Sequence, residues 1–486
     1  MPDASGVHYD RVDARYFEAR GLRRHARVWS LWALGVGAVI SGDFFGWNFG
    51  LAAGGFGGLL IATVLITALY VGLCFSIAEM SAALPHTGGA YSFARSAMGP
   101  WGAYLTGLAE NMEYILTPAV IVVGIGGYLG AIFGTPEAAA PLWWLAAYAV
   151  FIGLNAAGVE TSFRFTVAIT LTALAILAVF WIGALPHLDL ERHALDITPQ
   201  SGGSRFLPFG WGGVLAALPF AIWFYLAIEE LPLAAEEAQA PERDLPRGIL
   251  FGLATLVVCA FLTLVLSAGI PPGAEALGRS DEPLFASFST IFGSGIGARL
   301  LALVAVAGLV ASFHTILFAY SRQIYSLSRA GYFPRWLSVT HGRRKTPHVA
   351  LLAGGALGYA VAFGIHTLGS EHPVGAVLLN MAVFGAVLSY GFQMTSFVLL
   401  RWHRPQIERP YRSPLGIPGA LLALCLSGAT LVALFVSDPF YRRVVIGAAL
   451  WYALGLIWFA LVGRHRLVES PEERFALETG PPAREP

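Results

Sequence analysis

The stretch GVGAVISGDFFGWNFGL, from Gly35 to Leu51, lies inside the first long apolar segment and combines two features that ordinary membrane helices avoid. Its glycines loosen a helical backbone, and Asp43 is a carboxylate in a segment where hydrocarbon makes a charge expensive. We therefore expect the helix to be interrupted at Gly42 and Asp43, with the acid serving something other than packing.

Composition indicates what kind of chain surrounds this stretch. The 486 residues are 56% hydrophobic and only 12% charged, whereas soluble domains carry about twice that charged fraction. Apolar runs of about 20 residues, the signature of transmembrane helices, recur along most of the chain. We predict an all-α polytopic membrane protein with about twelve spans, at residues 28–53, 57–82, 100–133, 141–157, 164–185, 211–235, 247–270, 298–328, 347–367, 373–400, 418–436 and 443–462.

Basic residues predict the orientation of these spans. Most of them fall in the two tails and in the connections that follow even-numbered spans, so the positive-inside rule places both termini in the cytoplasm. The Arg-rich first 27 residues do not resemble a cleavable signal peptide. The longest basic run is the GRRK at 342–345, which gives no support for nucleic-acid binding. Neither a cofactor nor a metal site is predicted, since the three cysteines have no metal-ligand or disulfide spacing.

Acidic residues inside the spans are the main functional signal. No Lys or Arg is predicted deep in any span, so intramolecular ion pairs are not expected to neutralise these acids. A cationic substrate or transported protons could do so. The acids are Asp43, Glu79, Glu110, Glu113, Glu229 and Glu230.

The sixth span has its own interruption. Pro219 lies before Glu229 and Glu230, and Pro232 lies after them. Each proline removes one backbone hydrogen-bond donor. In a core of two five-helix halves, the first and sixth spans hold corresponding positions. Two broken helices at such positions, each with an acid near the break, indicate a transporter binding site.

Further candidates lie near these acids, and each has a structural alternative. Glu110, Glu113 and Tyr114 share one helix face, while Trp223 and Phe224 either cage a bound cation or fill the core. Glu79 serves either the site or a loop cap, and Glu236 and Glu237 are expected to be solvated or to form a gate. Coupling-ion candidates are His314, as a proton relay or a core group, with Ser312, Thr315 and Glu230.

Three stretches resemble a known family. They are IAEMSAALPHTGGAYSFARSAMGPWGAYLTG at 77–107, IWFYLAIEELPLAAEEAQAPERDLP at 222–246 and YSRQIYSLSRAGYFPRWL at 320–337. Together they resemble the amino acid–polyamine–organocation transporters, and SGDFFGWNFG with AIWFYLAIEE resembles the bacterial ethanolamine permeases. The family often has Gly where Ala227 stands, so the resemblance implies a less flexible second break here.

The resemblance implies a leucine-transporter-like fold of two inverted five-helix repeats plus two extra helices, in a bacterial inner membrane. It divides the chain into a tail at 1–27, a first repeat at 28–185 and an extracellular loop at 186–210. The second repeat follows at 211–367, with its tenth helix at 373–400. Helices eleven and twelve occupy 418–462, and the C-terminal tail is 463–486.

The substrate expectation combines the resemblance with the charge of the first break. In amino acid carriers of the family, that break offers backbone N–H groups to the substrate carboxylate, which Asp43 would repel. We therefore expect import of ethanolamine or a similar small primary amine, with H⁺ or Na⁺ as possible coupling ion. The alternatives are a cationic amino acid or diamine permease, and then a neutral amino acid–proton symporter. Expected substrate contacts are Ser41, Gly42, Asp43, Asn48, Glu110, Glu113, Tyr114, Trp223, Phe224, Ala227 and Glu229.

Overall fold

Helices account for nearly all regular structure in the computed structural model, which describes residues 6–280, 282–293, 296–368, 374–436 and 441–478. Every predicted span coincides with helical structure. Residue 373 at the start of the tenth span, and residues 1–5 and 479–486 of the tails, lie outside the described residues. The α-helices are α1 Ala14–Glu18, α2 Val28–Val39, α3 Ser41–Phe44, α4 Phe49–Ala83, α5 Gly89–Phe133, α6 Ala140–Ala157, α7 Val159–Ala184, α8 Gly210–Ile222, α9 Pro241–Ala268, α10 Ala274–Leu277, α11 Pro283–Phe292, α12 Ile296–Arg329, α13 His348–Leu368, α14 Val374–His403, α15 Gly416–Val436, α16 Tyr441–Leu461 and α17 Pro471–Glu478.

Length and apolarity confirm the membrane assignment. Within the described ranges, nine helices are long and apolar enough to cross a bilayer. The shorter apolar helices include Val28–Phe44 and Gly210–Ile222, which lead into the two predicted interruptions. Large apolar side chains point outward, as lipid-facing surfaces require. Examples are Leu142, Ile182, Leu454 and Leu461, each 69% or more exposed.

Helix packing surrounds the two interrupted spans with continuous helices. α2 packs against α7 and α9, α4 packs against α8, and α5 packs against α12 and α14. The boundary between the first two spans falls inside α4 at Gly55, whose φ of 69° bends the chain. Glycine adopts that left-handed conformation without the steric penalty of a Cβ.

Both chain ends meet on one side of the molecule. Strand β1, Tyr9–Asp10, pairs in parallel with β2, Leu467–Val468, and these two-residue strands are a minor addition to the helical fold. We call the side on which they meet the terminal face. The N-terminal tail continues across it, since the backbone N–H groups of His25 and Ala26 donate to the Glu237 carbonyl at 2.7 and 2.9 Å.

Candidate functional site

The first interruption lies immediately after Asp43. α3 ends at Phe44, Phe45 is extended, and helical structure resumes at Phe49. Gly42 faces the second interruption, because a Cβ placed on it would lie 2.1 Å from the carbonyl oxygen of Trp223. Only glycine allows this approach, and it brings the two interruptions backbone to backbone.

The second interruption is centred on Ala227. α8 ends at Ile222, and a 3₁₀ helix, Ile228–Glu237, begins after Ala227, whose φ is 84°. A non-glycine residue in this left-handed conformation costs on the order of 1–2 kcal/mol. Part of the compensation is local, since the Ala227 N–H donates to Glu229 Oε1 at 3.2 Å. Ala227 therefore adopts the conformation that glycine favours, although its Cβ was expected to make the break less flexible.

A cluster of buried carboxyl groups adjoins this second break. Glu113 of α5 and Glu229 come within hydrogen-bonding reach of each other, and Glu110 and Glu230 lie close by. Two ionised carboxylates this close in a buried site would repel each other strongly, so the Glu113–Glu229 pair needs a cation or a proton. The pair has one further contact, because the Tyr390 hydroxyl donates to Glu229 Oε1 at 2.8 Å.

Most oxygens in this region have no hydrogen-bond donor. The side chains of Asp43, Glu113 and Glu230 are at most 1% exposed, and a buried polar group left without a partner is costly. Among the described residues, no Lys or Arg forms an ion pair with any of them. The oxygens without a donor are Asp43 Oδ1 and Oδ2, Glu113 Oε1 and Oε2, Glu229 Oε2, and Glu230 Oε1 and Oε2.

Asp43 faces a different helix from the Glu113–Glu229 pair. Its neighbours are Thr263 and Cys259 of α9 and Tyr225 of the second interruption. Thr263 lies beside the carboxylate, but no donor satisfies either oxygen. The buried carboxyl groups therefore occupy two positions: Asp43 lies on the first interrupted segment, and the Glu113–Glu229 pair lies beside the second. The sequence suggested one combined site.

Aromatic side chains line the interrupted segments. Trp47 stacks on Phe224 with ring centroids 5.6 Å apart, and the indole nitrogens of Trp47 and Trp223 have no acceptor. The Tyr114 hydroxyl, beside Glu113 and Glu110, is also buried without a partner. These three groups are unused hydrogen-bond donors in buried positions.

Three polar residues of the site were missed from the sequence. Tyr70 of α4 shares a 2.7 Å hydrogen bond with Tyr390 of α14, and Gln323 of α12 donates to Glu110 Oε2 at 2.5 Å. Each is a polar residue within a predicted span, which is a usable signal. The sequence does not reveal which face of its helix such a residue occupies.

The contacts of Asn48 do not support the prediction that it binds substrate. Its amide nitrogen donates to the carbonyls of Leu277 and Ser280 at 2.7 and 2.8 Å. Its Oδ1 accepts from Gly46 N at 3.2 Å. Asn48 instead fastens the first break to the segment around α10.

Two coupling-ion candidates on α12, Ser312 and Thr315, also form hydrogen bonds within the protein. Ser312 accepts from Ser41 N at 2.8 Å and donates to the Gly37 carbonyl at 2.7 Å, so it fixes α3 to α12. Thr315 donates to carbonyls of its own helix.

His314 has partners at both ring nitrogens. Asn155 lies 3.0 Å from Nδ1, and Ser162 lies 3.0 Å from Nε2. These contacts make His314 a hydrogen-bonded core residue between α6, α7 and α12. Its role in proton transfer stays a prediction.

Acids near the terminal face correct the expectation that ion pairs are absent. Glu79 pairs with Arg401 at 2.5 Å and with Arg409 at 3.1 Å. Glu237, which is fully buried, pairs with Arg322 at 2.8 Å. Sequence spacing could not show these pairs, because the partners lie on different helices. Glu79 is therefore a structural residue.

Comparison with known proteins identifies the family. The profile of the family described as Amino acid permease matches residues 27–461. The chain belongs to this family.

Relatives agree with that assignment. The chain is 30% identical to an uncharacterized transporter of Rhizobium meliloti, over 88% of this chain and 90% of the relative. It is 26% identical to a branched-chain amino acid permease of Bacillus subtilis, over 92% and 94%. It is also 26% identical to cationic amino acid transporter 4 of Homo sapiens, over 79% of this chain and 60% of that protein. The chain is therefore a multi-pass membrane transporter for small amino acid-type substrates, not an enzyme.

Proposed function

We propose that this permease carries ethanolamine or a similar small primary amine by alternating access between its two interrupted spans. The observation that carries the proposal is the set of buried carboxylate oxygens without donors on Asp43, Glu113, Glu229 and Glu230. Charges in such a site need a cation or a proton. An ammonium group supplies a positive charge and three hydrogen-bond donors, as the analogous Lys group does.

Unused donors suit the other end of such a substrate. Tyr114 lies beside Glu113 and Glu229, and Trp47 and Trp223 belong to the interrupted segments. None of the three has an acceptor, so we expect them to offer hydrogen bonds to a substrate hydroxyl. No guanidinium or ammonium group forms an ion pair with these acids among the described residues, and the Arg322 guanidinium is occupied by Glu237. A substrate without a carboxylate therefore fits this site better than an amino acid.

Protons are the coupling ion that we favour over sodium. We expect the Glu113–Glu229 pair to take up a proton that a bound cation displaces. Ser312 and Thr315 donate their hydroxyl hydrogens to carbonyl groups, which leaves oxygen lone pairs that sodium can bind, so our preference for protons rests on the acids. Uptake into proteoliposomes with an imposed pH gradient, against an imposed Na⁺ gradient, distinguishes the two ions.

Direction and location complete the proposal. Basic residues concentrate on the terminal face, and the positive-inside rule then makes that face cytoplasmic. The expected setting is the inner membrane of a bacterium, with import as the direction of transport. Accessibility of a tag fused to the C-terminus, in intact against permeabilised cells, tests the orientation.

One rival is favoured by a specific observation. Among the relatives, several are named cationic amino acid transporters, and such a substrate would also bring a positive charge to the acids. The branched-chain amino acid permease likewise keeps a neutral amino acid–proton symporter in the comparison. The amino acids carried in these alternatives have a carboxylate, whereas the proposed amine has none.

Thermal stabilisation of the purified protein separates the three substrate classes. A ligand that binds the native state raises the melting temperature, so the panel should contain ethanolamine, choline, putrescine, arginine and alanine. We expect a shift with ethanolamine and none with arginine or alanine. A shift with arginine or putrescine would support the cationic rival, and one with alanine would contradict the amine assignment.

An uptake assay then tests the role of Asp43. Asp43→Asn keeps the shape of the side chain but removes its charge, so amine uptake should be abolished while the protein still reaches the membrane. Glu160→Gln is the matched control, because Glu160 is exposed and pairs only with Arg164. Normal uptake by Asp43→Asn would contradict the assignment.

A further inference from the structure

The C-terminal helix α17 buries two acids in a tail that the sequence marks as polar. Glu472 and Glu473 are 1% and 0% exposed, although Arg474 and Glu478 on the same helix are exposed. Charged residues are almost never fully buried unless they are paired. The partners of these two acids therefore indicate what α17 does.

Glu472 joins an ion pair that already links the Ile228–Glu237 segment to α12. Arg329, at the end of α12, donates to Glu236 through both terminal nitrogens, at 2.8 and 2.5 Å. Its Nη2 also donates to Glu472 Oε1 at 2.5 Å. Ser326, one turn earlier on α12, donates to the same Glu472 oxygen at 2.8 Å.

The two carboxylates that share Arg329 belong to different structural units. Glu236 is the penultimate residue of the Ile228–Glu237 3₁₀ helix, which follows the second interruption. In the alternating access proposed above, on which this inference rests, opening the site to the terminal face moves this segment relative to α12. Glu472 is instead fixed to α12 through both Arg329 and Ser326, so it stays behind when Glu236 leaves.

Charge explains why a second carboxylate is needed. Arg329 is 3% exposed, and removing the partner of a buried ion strongly destabilises it. With Glu472 in place, Arg329 keeps a counter-ion after Glu236 departs. Glu472 remains ionised for this purpose: burial alone would raise its pKa, but Arg329 and then His86 lower it to about 2.

We propose that Glu472 is a positioning residue for gating, a standby counter-ion that holds Arg329 while Glu236 moves away and the terminal face opens. The proposal concerns the gate and not the substrate, so it stands whether the cargo is an amine or an amino acid. The C-terminal helix then takes part in transport and does not merely cover the protein.

The neighbouring acid provides a matched control. Glu473 is equally buried but pairs with Arg95 of α5 at 2.6 Å. It also accepts from Tyr332 at 2.7 Å and from Tyr9 at 2.6 Å. None of these groups contacts Glu236 in the ion pair described above, so Glu473 anchors the tail without serving the gate.

The test measures opening directly by cysteine labelling. Ala235 adjoins Glu236 and is 1% exposed, so Ala235→Cys reports when this segment becomes accessible. The purified full-length protein, with Cys425→Ser to remove the exposed thiol, is labelled with a hydrophilic maleimide. Labelling needs no substrate, so its result is independent of the proposed substrate.

We expect Glu472→Gln to slow labelling at least tenfold, because opening would then leave Arg329 without a counter-ion. Adding Glu236→Gln should remove this slowing, because Arg329 then loses no counter-ion on opening, while the Glu237–Arg322 pair holds the segment equally in every variant. The exposed-site variant Glu478→Gln should label like the parent. Glu473→Gln should not slow labelling, although it weakens the anchor of the tail by leaving Arg95 without its carboxylate. Unchanged or faster labelling of Glu472→Gln would overturn the proposal, as would equal slowing by Glu473→Gln.

Transport kinetics supply a second readout that a purely structural role would not move. In uptake of the substrate identified by thermal stabilisation, Glu472→Gln should lower the maximal rate and leave KM unchanged. If Glu472→Gln fails to fold, Ser326→Ala takes its place, because it loosens Glu472 without removing a charge. Slower labelling of Ser326→Ala supports the proposal, and unchanged labelling overturns it.

Discussion

This permease has two sets of buried carboxylates, and they differ in whether an arginine pairs with them. Near the terminal face, Glu79, Glu237, Glu472 and Glu473 each have an arginine within 2.5–2.8 Å. At the interruptions, within the described part of the chain, Asp43, Glu113 and Glu230 have no donor on either carboxylate oxygen, and Glu229 has none on Oε2. Burial is the same in both regions, so the partner is the difference.

The difference shows where the chain satisfies its own charges and where it leaves that to a ligand. When one partner of a buried ion pair is removed, the other partner remains as an uncompensated buried charge, which destabilises the fold. An unpaired acid carries its cost in the resting protein, and a cation or proton relieves it. Substitution should therefore affect folding in the first region and transport in the second.

The largest expected effect is on the stability of the paired region. Glu237→Gln leaves the Arg322 guanidinium, 1% exposed, without a counter-ion, so unfolding should become easier by about 3–5 kcal/mol. Glu160→Gln breaks a mostly exposed pair and should cost about 0–1 kcal/mol. Thermal melting of the two purified variants checks this contrast, and equal melting temperatures would contradict it.

Low pH should destabilise the paired region, because it protonates Glu472. Arg329 and His86 lower its pKa from 4.5 to about 2 against the effect of burial. The stabilisation is then fully present above pH 4.5 and is lost as the pH falls toward 2. The shift corresponds to about 3 kcal/mol. Melting of the wild type relative to Glu472→Gln should differ by a constant amount from pH 7 to 5, and a change within that window would contradict the pairing.

In the unpaired region, Glu229→Gln should spare the fold and stop transport. No arginine loses its partner, and Tyr390 can still donate to the amide oxygen in place of Glu229 Oε1. We expect an unchanged or higher melting temperature and at least a tenfold loss of uptake, which corresponds to about 1.4 kcal/mol or more. Melting and proteoliposome uptake, measured on one preparation, decide the matter. Wild-type uptake would remove Glu229 from the site.

The smallest effect should come from His314, a buried titratable group outside both sets. His314→Gln disturbs its hydrogen bonds to Asn155 and Ser162, at a cost of about 1 kcal/mol. The pH profile of uptake should keep its shape, because we expect that the ring does not relay protons. A shift in the pH profile of uptake would indicate that His314 takes part in proton coupling.

Sequence alone located the interruptions because their causes are local. The glycines around Asp43, and Pro219 and Pro232 around Glu229, act on their own backbone, and apolar run length defines the spans. The unpaired acids were likewise visible, since they stand in apolar segments that contain no basic residue of their own.

Partners that are distant in sequence could not be read in the same way. Glu79 meets Arg401 across 322 positions, and Arg95 meets Glu473 across 378. Such pairs depend on helix rotation and depth, which no local pattern encodes. For the same reason Asn48 was predicted to be a substrate ligand, and the burial of Glu472 in the C-terminal tail was not predicted.

The pairing of β1 with β2 has a consequence for how the chain is made. Tyr9 is synthesised long before its strand partner Leu467, and Arg95 long before Glu473. The membrane spans between them can therefore insert before this face is sealed. A chain that lacks only α17 would insert the same spans and leave Arg95 without the Glu473 carboxylate, while Arg329 would keep Glu236.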